Sequence, residues 1–374
     1  MFSRFKYTEY PKSVRKSLIE RDKQKAKSER GGRSKRKKTI ITVLAVLLAV
    51  ILAFGGIFAW FWINSKKNIH PNGEINFEPG DVGIDDDTAP VIHDSGKIIE
   101  YKGATYRFNE NAVSVALMGI DKEVLGTEYG QVGTGGQADT IALAVYDPQS
   151  GKVSIAVIPR DTMVDVNTYD VKGGFLDIKR QQICVSYAYG DGRETSCENT
   201  IRSINRLLMG IPVDLYLAMD LDGIPALNDA IGGVTLTCIE TEGRFTEGET
   251  VTLSGEDADA YVRDRDMNRL DADTARRARQ KQYMEAYLSQ AMSKIKKNFS
   301  LISKLYNEAM NYVVTDISLD RVTYIATTAL TNNIAVADFR TLPGSYTEGE
   351  NYAEYIPDET ALFEMILDMY YVKE

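Results

Sequence analysis

The uncharged segment Thr39–Ile63 constrains the fold of this chain more than any other feature. It reads TIITVLAVLLAVILAFGGIFAWFWI, and a helix needs roughly 20 apolar residues to cross a bilayer. A cleaved secretory signal has a shorter apolar region followed by small residues, whereas Trp60, Phe61 and Trp62 stand at this end, as in an interfacial aromatic belt. The sequence therefore predicts one N-terminal transmembrane helix.

Basic residues precede this segment. Residues 1–38 hold fifteen Lys and Arg against four Asp and Glu, a balance of +11, so the formal charge of -9 leaves -20 for the remainder. Such a cluster next to a membrane helix marks the cytoplasmic side and attracts anionic lipid. We expect a single-pass protein of the cell membrane with residues 1–38 as a cytoplasmic tail. A tail this short without a core-forming pattern cannot form a DNA-reading domain, so we expect membrane lipid and no nucleic acid as its partner.

The rest of the chain is predicted to be extracytoplasmic and to form one folded domain behind a linker. Residues 64–96 are rich in Pro, Gly and Asp and are predicted to be a linker, which leaves residues 97–374 for the domain. Strand-like runs at 112–120, 141–146 and 153–158 are followed by alternating helical and strand patterns. This order predicts an α/β fold with a mixed central sheet covered by helices on both faces.

Histidine and cysteine usage narrows the chemistry. Both histidines, His70 and His93, fall in the predicted linker, which excludes a Ser-His-Asp triad, a Cys-His dyad and a His-ligated zinc in the domain. The cysteines are Cys184, Cys197 and Cys238. A disulfide between Cys184 and Cys197 and three unpaired thiols are both compatible with the sequence.

A predicted hairpin brings charged residues to one edge of the sheet. The strands 141–146 and 153–158 are joined by a turn, so Asp139 should lie beside Arg160 and Asp161. Asp121 joins them if its strand runs parallel to the third strand. Carboxylates gathered in this way are typical of a Mg²⁺ site, although aspartates also simply end strands.

Six arginines and four aspartates alternate within Tyr261–Gln282, which reads YVRDRDMNRLDADTARRARQKQ. From Met284 the apolar residues recur at helical spacing, which predicts a helix with one buried face. Arg276, Arg279 and Gln280 continue that face backwards, and a buried guanidinium needs an anionic partner. Two interpretations stay open: an ion-pair network with neighbouring aspartates, or an arginine cluster around a phosphorylated ligand.

Six motifs in one order resemble those of the LytR-CpsA-Psr family. They are ALMGID at 116–121, ADTIAL at 138–143, VIPRDT at 157–162, IGGVTL at 231–236, LSGEDADAYVRDRD at 253–266 and DADTARRARQKQ at 271–282. The resemblance extends from about residue 112 to the C-terminus, and the anchor and basic tail match as well. It implies an α-β-α catalytic domain in the envelope of a Gram-positive-type bacterium. Such an enzyme moves a glycopolymer, of the teichoic acid or capsular polysaccharide type, from a polyprenyl diphosphate carrier to peptidoglycan through a phosphodiester bond.

The resemblance also implies roles for individual residues. Asp121 and Asp139 would hold Mg²⁺ or Mn²⁺, and Asp273 would be the acidic residue near the attacking hydroxyl. The diphosphate would be bound and activated by Arg160, Arg263, Arg265 and Arg276, with Arg279, Gln280 and Gln137 as further substrate-binding residues.

Two departures from the family pattern reduce the positive charge of the site. Gln137 stands where the family usually has Arg, and Gln182-Ile183-Cys184 replaces a Lys-Leu-Asn-like segment.

Two other functions stay open beside the transferase. One is a hydrolase that releases polyprenyl phosphate with water as the acceptor. The other is a non-catalytic binder of lipid-linked glycan that regulates envelope assembly.

Overall fold

The computed structural model describes most of the predicted domain. It covers residues 75, 77, 89–122, 125, 132–133, 135–220, 222–264, 266, 272–332, 334–350 and 352–374, with the backbone alone at 272–274, 277, 327 and 335–337. The predicted tail, the predicted transmembrane helix and nearly all of the predicted linker lie outside these residues. Within the described ranges, no helix has both the length and the apolarity that a membrane crossing requires.

The described residues form sixteen strands and seven α-helices. The strands are β1 (Val91–His93), β2 (Ile98–Tyr101), β3 (Ala104–Phe108), β4 (Val113–Ile120), β5 (Ala138–Tyr146), β6 (Lys152–Ile158), β7 (Met163–Tyr169), β8 (Phe175–Gln182), β9 (Leu215–Met219), β10 (Val234–Thr237), β11 (Thr250–Leu253), β12 (Val313–Thr315), β13 (Ala335–Thr341), β14 (Gly344–Glu348), β15 (Ala353–Pro357) and β16 (Tyr371–Lys373). The helices are α1 (Glu194–Leu207), α2 (Gly223–Ala230), α3 (Gly255–Arg263), α4 (Ala272–Lys297), α5 (Ser300–Ala309), α6 (Leu319–Thr331) and α7 (Glu359–Tyr370).

A six-stranded mixed sheet forms the centre of the domain, in the order β12-β9-β4-β5-β6-β13. Strands β4 and β5 are antiparallel, as are β5 and β6, while β9 runs parallel to β4 and β13 parallel to β6. Every residue of β4 and β5 is buried, because helices cover both faces of the sheet. The predicted α/β fold with a mixed central sheet is confirmed.

The alternation of side chains along the strands builds two cores. On one face of the sheet, Val115 and Leu117 of β4 pack in a cluster with residues of α2 to α6. On the other face, Ala116 and Met118 pack in a cluster with residues of α1 and α7. The described helical parts of the Arg-rich segment, 261–263 and 272–282, thus belong to the layer of helices on the first face.

The folded domain starts earlier than the sequence indicates. Strand β1 pairs with β2 in a small sheet, β1-β2-β3-β16, that joins the start of the domain to its end. Residues 91–96 therefore belong to the domain, although the composition of 64–96 predicts a linker. His93 lies in β1 with an exposed side chain 3.4 Å from Glu100, so it belongs to the domain and not to a linker as the sequence predicts.

Candidate active site

The ends of adjacent central strands gather charged residues at one edge of the sheet. Strand β4 ends just before Asp121, Asp139 is the second residue of β5, and Arg160 follows the end of β6 by two residues. Strands β4 and β6 both run antiparallel to β5 and hence in the same direction. The structure therefore brings Asp121, Asp139 and Arg160 to one edge, as the hairpin geometry predicts.

Arg160 is paired with one buried and one partly exposed carboxylate at this edge. Its Nη1 forms an ion pair with Oδ1 of Asp139, a side chain that is 2% exposed. Its Nε lies 3.7 Å from Oδ1 of Asp161. Burial raises the pKa of Asp161, and the charge of Arg160 opposes that rise. Because the Arg160 side chain keeps 23% of its surface exposed, it can also face a ligand.

Gln137 connects the parts of this edge. Its side-chain Oε1 accepts a hydrogen bond of 2.9 Å from Nη2 of Arg160. Its backbone N–H donates to Oδ1 of Asp121 at 2.8 Å, and its carbonyl accepts from the backbone N–H groups of Asp121 and Asp139. The preceding Gly136 has φ +85°, and a Cβ there would lie 2.6 Å from Oδ1 of Asp121, so only glycine permits this approach. In this structure Gln137 orients Arg160.

Cys184 lies beside the same guanidinium. Its Sγ is 3.7 Å from Nη2 of Arg160, and its backbone N–H donates to the carbonyl of Arg160 at 3.2 Å. Burial raises the pKa of the Cys184 thiol to about 11, with the charge of Arg160 opposing, so the group is a neutral thiol near pH 7. Cys184, Cys197 and Cys238 are all unpaired and buried, so the disulfide between Cys184 and Cys197 is not formed.

Arg263 lies at the C-terminal end of α3, near Asp222. The helix is fixed at its start by a capping box between Ser254 and Asp257 and ends at Arg263. Arg263 Nη1 lies 2.7 Å from Oδ2 of Asp259, and burial lowers its pKa while the nearby charges of Asp259, Asp222 and Asp264 oppose that shift.

The neighbourhood of Asp222 locates Arg263 relative to the sheet edge. Asp222 follows β9 by three residues, and Met219 at the end of β9 pairs in register with Gly119 of β4. Gly119 is two residues before Asp121, so Asp222 lies on the Asp121 side of the edge. Arg263, whose pKa the charge of Asp222 influences, therefore lies near the same side.

Arg279 and Gln280 hold the C-terminal end of α3. Arg279 is fully buried; its Nη1 donates to the carbonyl of Tyr261 at 2.6 Å, Nη2 donates to the carbonyl of Asp264, and Nε pairs with Glu240 at 2.6 Å. Gln280 Nε2 donates to the carbonyl of Val262 at 3.1 Å. These carbonyls lack partners within the helix, and a cation near them is favourable.

The structure therefore places Arg279 in the interior, where it positions the helix end that bears Arg263. This differs from the substrate contact that the sequence predicts, since periodicity shows that a side chain faces inward without showing what it meets there. Gln280 is 5% exposed and serves the same helix end.

The other predicted site residues are described only in part. Arg276 lies one turn before Gln280 on α4 and is 9% exposed. Asp273 lies in the first turn of α4, of which the backbone alone is described. Arg265 lies outside the described residues.

Sequence reasoning missed Asp220. It directly follows β9, is 3% exposed, and accepts hydrogen bonds from the backbone N–H groups of Asp222, Leu125 and Gly223. Burial raises its pKa to about 7, against the effect of those hydrogen bonds. The signal was available, because Asp220 ends a buried strand just as Asp121 does. Glu240, the partner of Arg279, had no comparable signal.

The donor set at the edge suits a hard divalent cation. Among the described residues, no group of three His, Cys, Asp or Glu side chains is arranged to hold a metal. Mg²⁺ nevertheless commonly binds through one or two carboxylates together with substrate phosphate oxygens. Asp121 and Asp139, at neighbouring strand ends and joined through Gln137, would be the two carboxylates of such a site.

Comparisons with known proteins give a consistent result. The model of the LytR_cpsA_psr family matches residues 89–369. The polyisoprenyl-teichoic acid–peptidoglycan teichoic acid transferase TagU of Bacillus licheniformis is 26% identical over 299 residues, which cover 77% of this chain and 81% of that protein. The X-ray structure of Lin1025 from Listeria innocua is 28% identical with a TM-score of 0.51, covering 70% of this chain and 97% of that one. Bacillus subtilis TagV, at 24% identity and a TM-score of 0.50 over 70% of this chain and 96% of that one, shares the fold.

Proposed function

Since this chain belongs to the LytR-CpsA-Psr family, we propose that it is a phosphotransferase that joins a glycopolymer to peptidoglycan. The donor is a glycan, of the teichoic acid or capsular polysaccharide type, on a polyprenyl diphosphate carrier. The name of the Bacillus licheniformis relative, a teichoic acid transferase, supports this reaction class. The predicted anchor would hold the domain at the outer face of the cell membrane, with residues 1–38 in the cytoplasm.

The observation that carries the proposal is the row of charged groups at the sheet edge. Asp121, Asp139 and Arg160 follow or begin three adjacent strands, and Arg263 approaches beside them. Transfer from a diphosphate needs cations around the phosphate oxygens, and planar guanidinium groups bind phosphate oxygens in pairs. This edge provides guanidinium groups, and carboxylates that would hold a metal cation, on rigid elements.

The reaction has one bond-forming and one bond-breaking event at phosphorus. The acceptor hydroxyl oxygen attacks the phosphorus attached to the glycan, and the bond from that phosphorus to the bridging oxygen of the carrier breaks. Polyprenyl phosphate leaves with the electron pair, and the glycan and the acceptor share a phosphodiester. The carboxylate of Asp273 accepts the proton of the hydroxyl, as a general base.

The arginines of this chain stabilise the charge that develops during the transfer. Arg160, oriented by Gln137, and Arg263, held at the end of α3, would contact the diphosphate oxygens, with Arg265 and Arg276 completing the cluster. Asp121 and Asp139 would hold Mg²⁺ or Mn²⁺, which withdraws charge from the phosphoryl oxygens when bound. Arg279 and Gln280 act indirectly, because they fix the segment that bears Arg263.

An isotope experiment separates transfer from hydrolysis. The purified chain is incubated with a polyprenyl diphosphate disaccharide in ¹⁸O-labelled water and Mg²⁺, with and without a peptidoglycan oligomer. Transfer yields a glycan phosphate without ¹⁸O and requires the oligomer, whereas hydrolysis places ¹⁸O in the glycan phosphate without any need for it. A donor that binds but stays intact under both conditions contradicts the enzymatic function and favours a non-catalytic glycan binder.

A further inference from the structure

The hairpin of β7 and β8 exposes four large apolar side chains, which the alternation along the strand places on both of its faces. Val171, Phe175, Leu176 and Ile178 lie in its turn and its second strand and are between 46% and 69% exposed. Contiguous apolar patches on soluble proteins are usually small, and larger ones mark binding surfaces. We call these four residues the hairpin patch.

Within the domain the ring of Phe175 lies edge-on to Tyr169, with the centroids 5.8 Å apart, and the patch nevertheless stays exposed. One face of β7, with Val164 and Val166, is buried, and the strand contacts α1. Strand β8 pairs with β7 in a two-stranded sheet, and its first six residues are exposed. In the part of the chain that the structure describes, no further strand pairs with β8.

Basic residues lie next to the residues of the hairpin patch in the sequence. Lys172 precedes Phe175 in the turn, and Lys179 and Arg180 follow Ile178. Three aspartates, at positions 165, 170 and 177, bring the formal charge of 163–182 to zero, while the chain beyond residue 38 carries -20. Asp170 and Asp177 accept hydrogen bonds from backbone N–H groups of the hairpin itself. An anionic surface would therefore meet lysine and arginine side chains here and would not be repelled by a net negative charge.

The root of the hairpin is part of the candidate active site. The Ile183 N–H donates to the carbonyl of Thr162 at 2.8 Å, and Gln182 Nε2 donates to Oδ1 of Asp161 at 3.1 Å. Arg160 thus lies at the base of the hairpin. The seven residues of β7, each rising about 3.3 Å, separate this base from the tip by roughly 20 Å. A hairpin that lies at an angle to a surface contacts that surface with its tip and keeps its base near the same surface.

We propose that the hairpin patch docks onto the membrane, with Val171, Phe175, Leu176 and Ile178 entering the interface and Lys172, Lys179 and Arg180 contacting anionic lipid headgroups. Apolar and basic side chains on one element are the combination that binds bilayer surfaces. The choice of a bilayer as the partner rests on the proposed function, because a polyprenyl-linked donor would be presented at that surface. Docking there would bring Arg160 close to the diphosphate of the carrier lipid.

A probe on the hairpin patch tests this directly. Because the native cysteines are buried, a fluorescent NBD group can be attached selectively to a Leu176→Cys variant of the full chain. The labelled protein is reconstituted into vesicles of phosphatidylcholine and phosphatidylglycerol that contain nitroxide-labelled lipids. We expect quenching several-fold stronger than at a Phe299→Cys control, which is an exposed apolar site at the start of α5. Replacement of Lys172, Lys179 and Arg180 by Glu should reduce the quenching at position 176.

Two results would overturn the proposal. One is equal quenching at positions 176 and 299. The other is an apolar probe environment that depends on the protein-to-lipid ratio and is insensitive to lipid nitroxides, which would identify a second copy of the chain as the partner. Since the readout needs no donor turnover, insertion without transfer activity would count against the proposed function alone.

Discussion

Gln137 accepts a 2.9 Å hydrogen bond from Nη2 of Arg160 through its side-chain oxygen, while its own N–H donates to the carboxylate of Asp121. One residue between the two predicted metal ligands therefore also fixes the orientation of the first predicted phosphate-binding arginine. The resemblance to the family implies Arg at this position, whereas this chain orients Arg160 with a neutral acceptor.

The Gln137→Ala variant should lower kcat/KM by about tenfold, because Arg160 loses an oriented acceptor worth about 1.5 kcal/mol. Steady-state kinetics with the diphosphate donor measures the effect. Gln149→Ala, in the turn at the opposite end of the β5–β6 hairpin, is the matched control and should be unaffected. Tighter donor binding in Gln137→Arg would show that the native residue merely lacks a phosphate contact, whereas weaker binding supports its orienting role.

Arg263→Ala should reduce kcat by about 100-fold or more, since one positioned charge donor contributes roughly 3 kcal/mol to transition-state stabilisation. The free energy of unfolding should change by only about 1 kcal/mol, because the pair with Asp259 is partly exposed. Arg202→Ala removes a more exposed i,i+4 pair with Glu198 on α1 and serves as the control. Unchanged turnover in Arg263→Ala would remove this residue from the phosphate-binding cluster.

Arg279→Ala should lower the free energy of unfolding by about 3 kcal/mol or more, because it leaves Glu240 and the α3 carbonyls without their buried partner. Denaturant titration measures this loss. Arg244→Ala breaks an exposed pair with Asp257 and should cost at most about 1 kcal/mol. Equal losses in the two variants would contradict the role of Arg279 at the helix end. If Arg279→Ala does not fold, Glu240→Gln gives a smaller loss in the same direction.

Asp220 should make the protein less stable as the pH rises from 5 to 8. Its folded-state pKa of about 7 lies above the ordinary 3.8, so the folded state retains a proton that the unfolded state releases. The stabilisation is complete below about pH 4 and is lost as the pH rises through about 7. The Asp220→Asn side chain cannot ionise. This variant should therefore lack the loss of unfolding free energy between pH 5 and 8, which is on the order of 2 kcal/mol. Identical pH slopes of the free energy of unfolding in both proteins would show that Asp220 is already ionised at pH 5.

Asp139→Asn should abolish transfer together with its Mg²⁺ requirement, because one of two carboxylate ligands becomes a weaker neutral donor. Binding of Mn²⁺, followed by electron paramagnetic resonance, provides a readout that does not depend on activity. Asp147→Asn, in the turn at the far end of the same hairpin, should leave Mn²⁺ binding intact. Undiminished Mn²⁺ binding by Asp139→Asn would place the metal elsewhere.

The central strands and their shared edge were predictable because each signal is local. Strands β4, β5 and β6 are apolar runs bounded by turns, and a tight hairpin dictates which ends meet, so Asp139 and Arg160 could be placed together. The inward face of α4 was equally visible in its helical spacing. These predictions required only patterns among residues that are close together in the sequence.

Contacts between distant segments were not predictable in the same way. Arg279 meets Glu240 from 39 positions away, and periodicity shows its burial without identifying that partner. The bond from Arg160 to Gln137 depends on the positive φ of Gly136, which any loop glycine could have adopted. The exposure of Phe175 and Leu176 was hidden because apolar residues in a strand pattern normally face a core.

The most direct test of the central claim is detection of the conjugate itself. The full chain is incubated with a polyprenyl diphosphate disaccharide, a peptidoglycan oligomer and either Mg²⁺ or EDTA, and the products are analysed by mass spectrometry. We predict a Mg²⁺-dependent phosphodiester between disaccharide and peptidoglycan, with an equal amount of polyprenyl phosphate, and loss of both in Arg160→Ala. Polyprenyl phosphate released without any conjugate, or a donor that remains intact with Mg²⁺ present, would contradict a glycopolymer–peptidoglycan phosphotransferase.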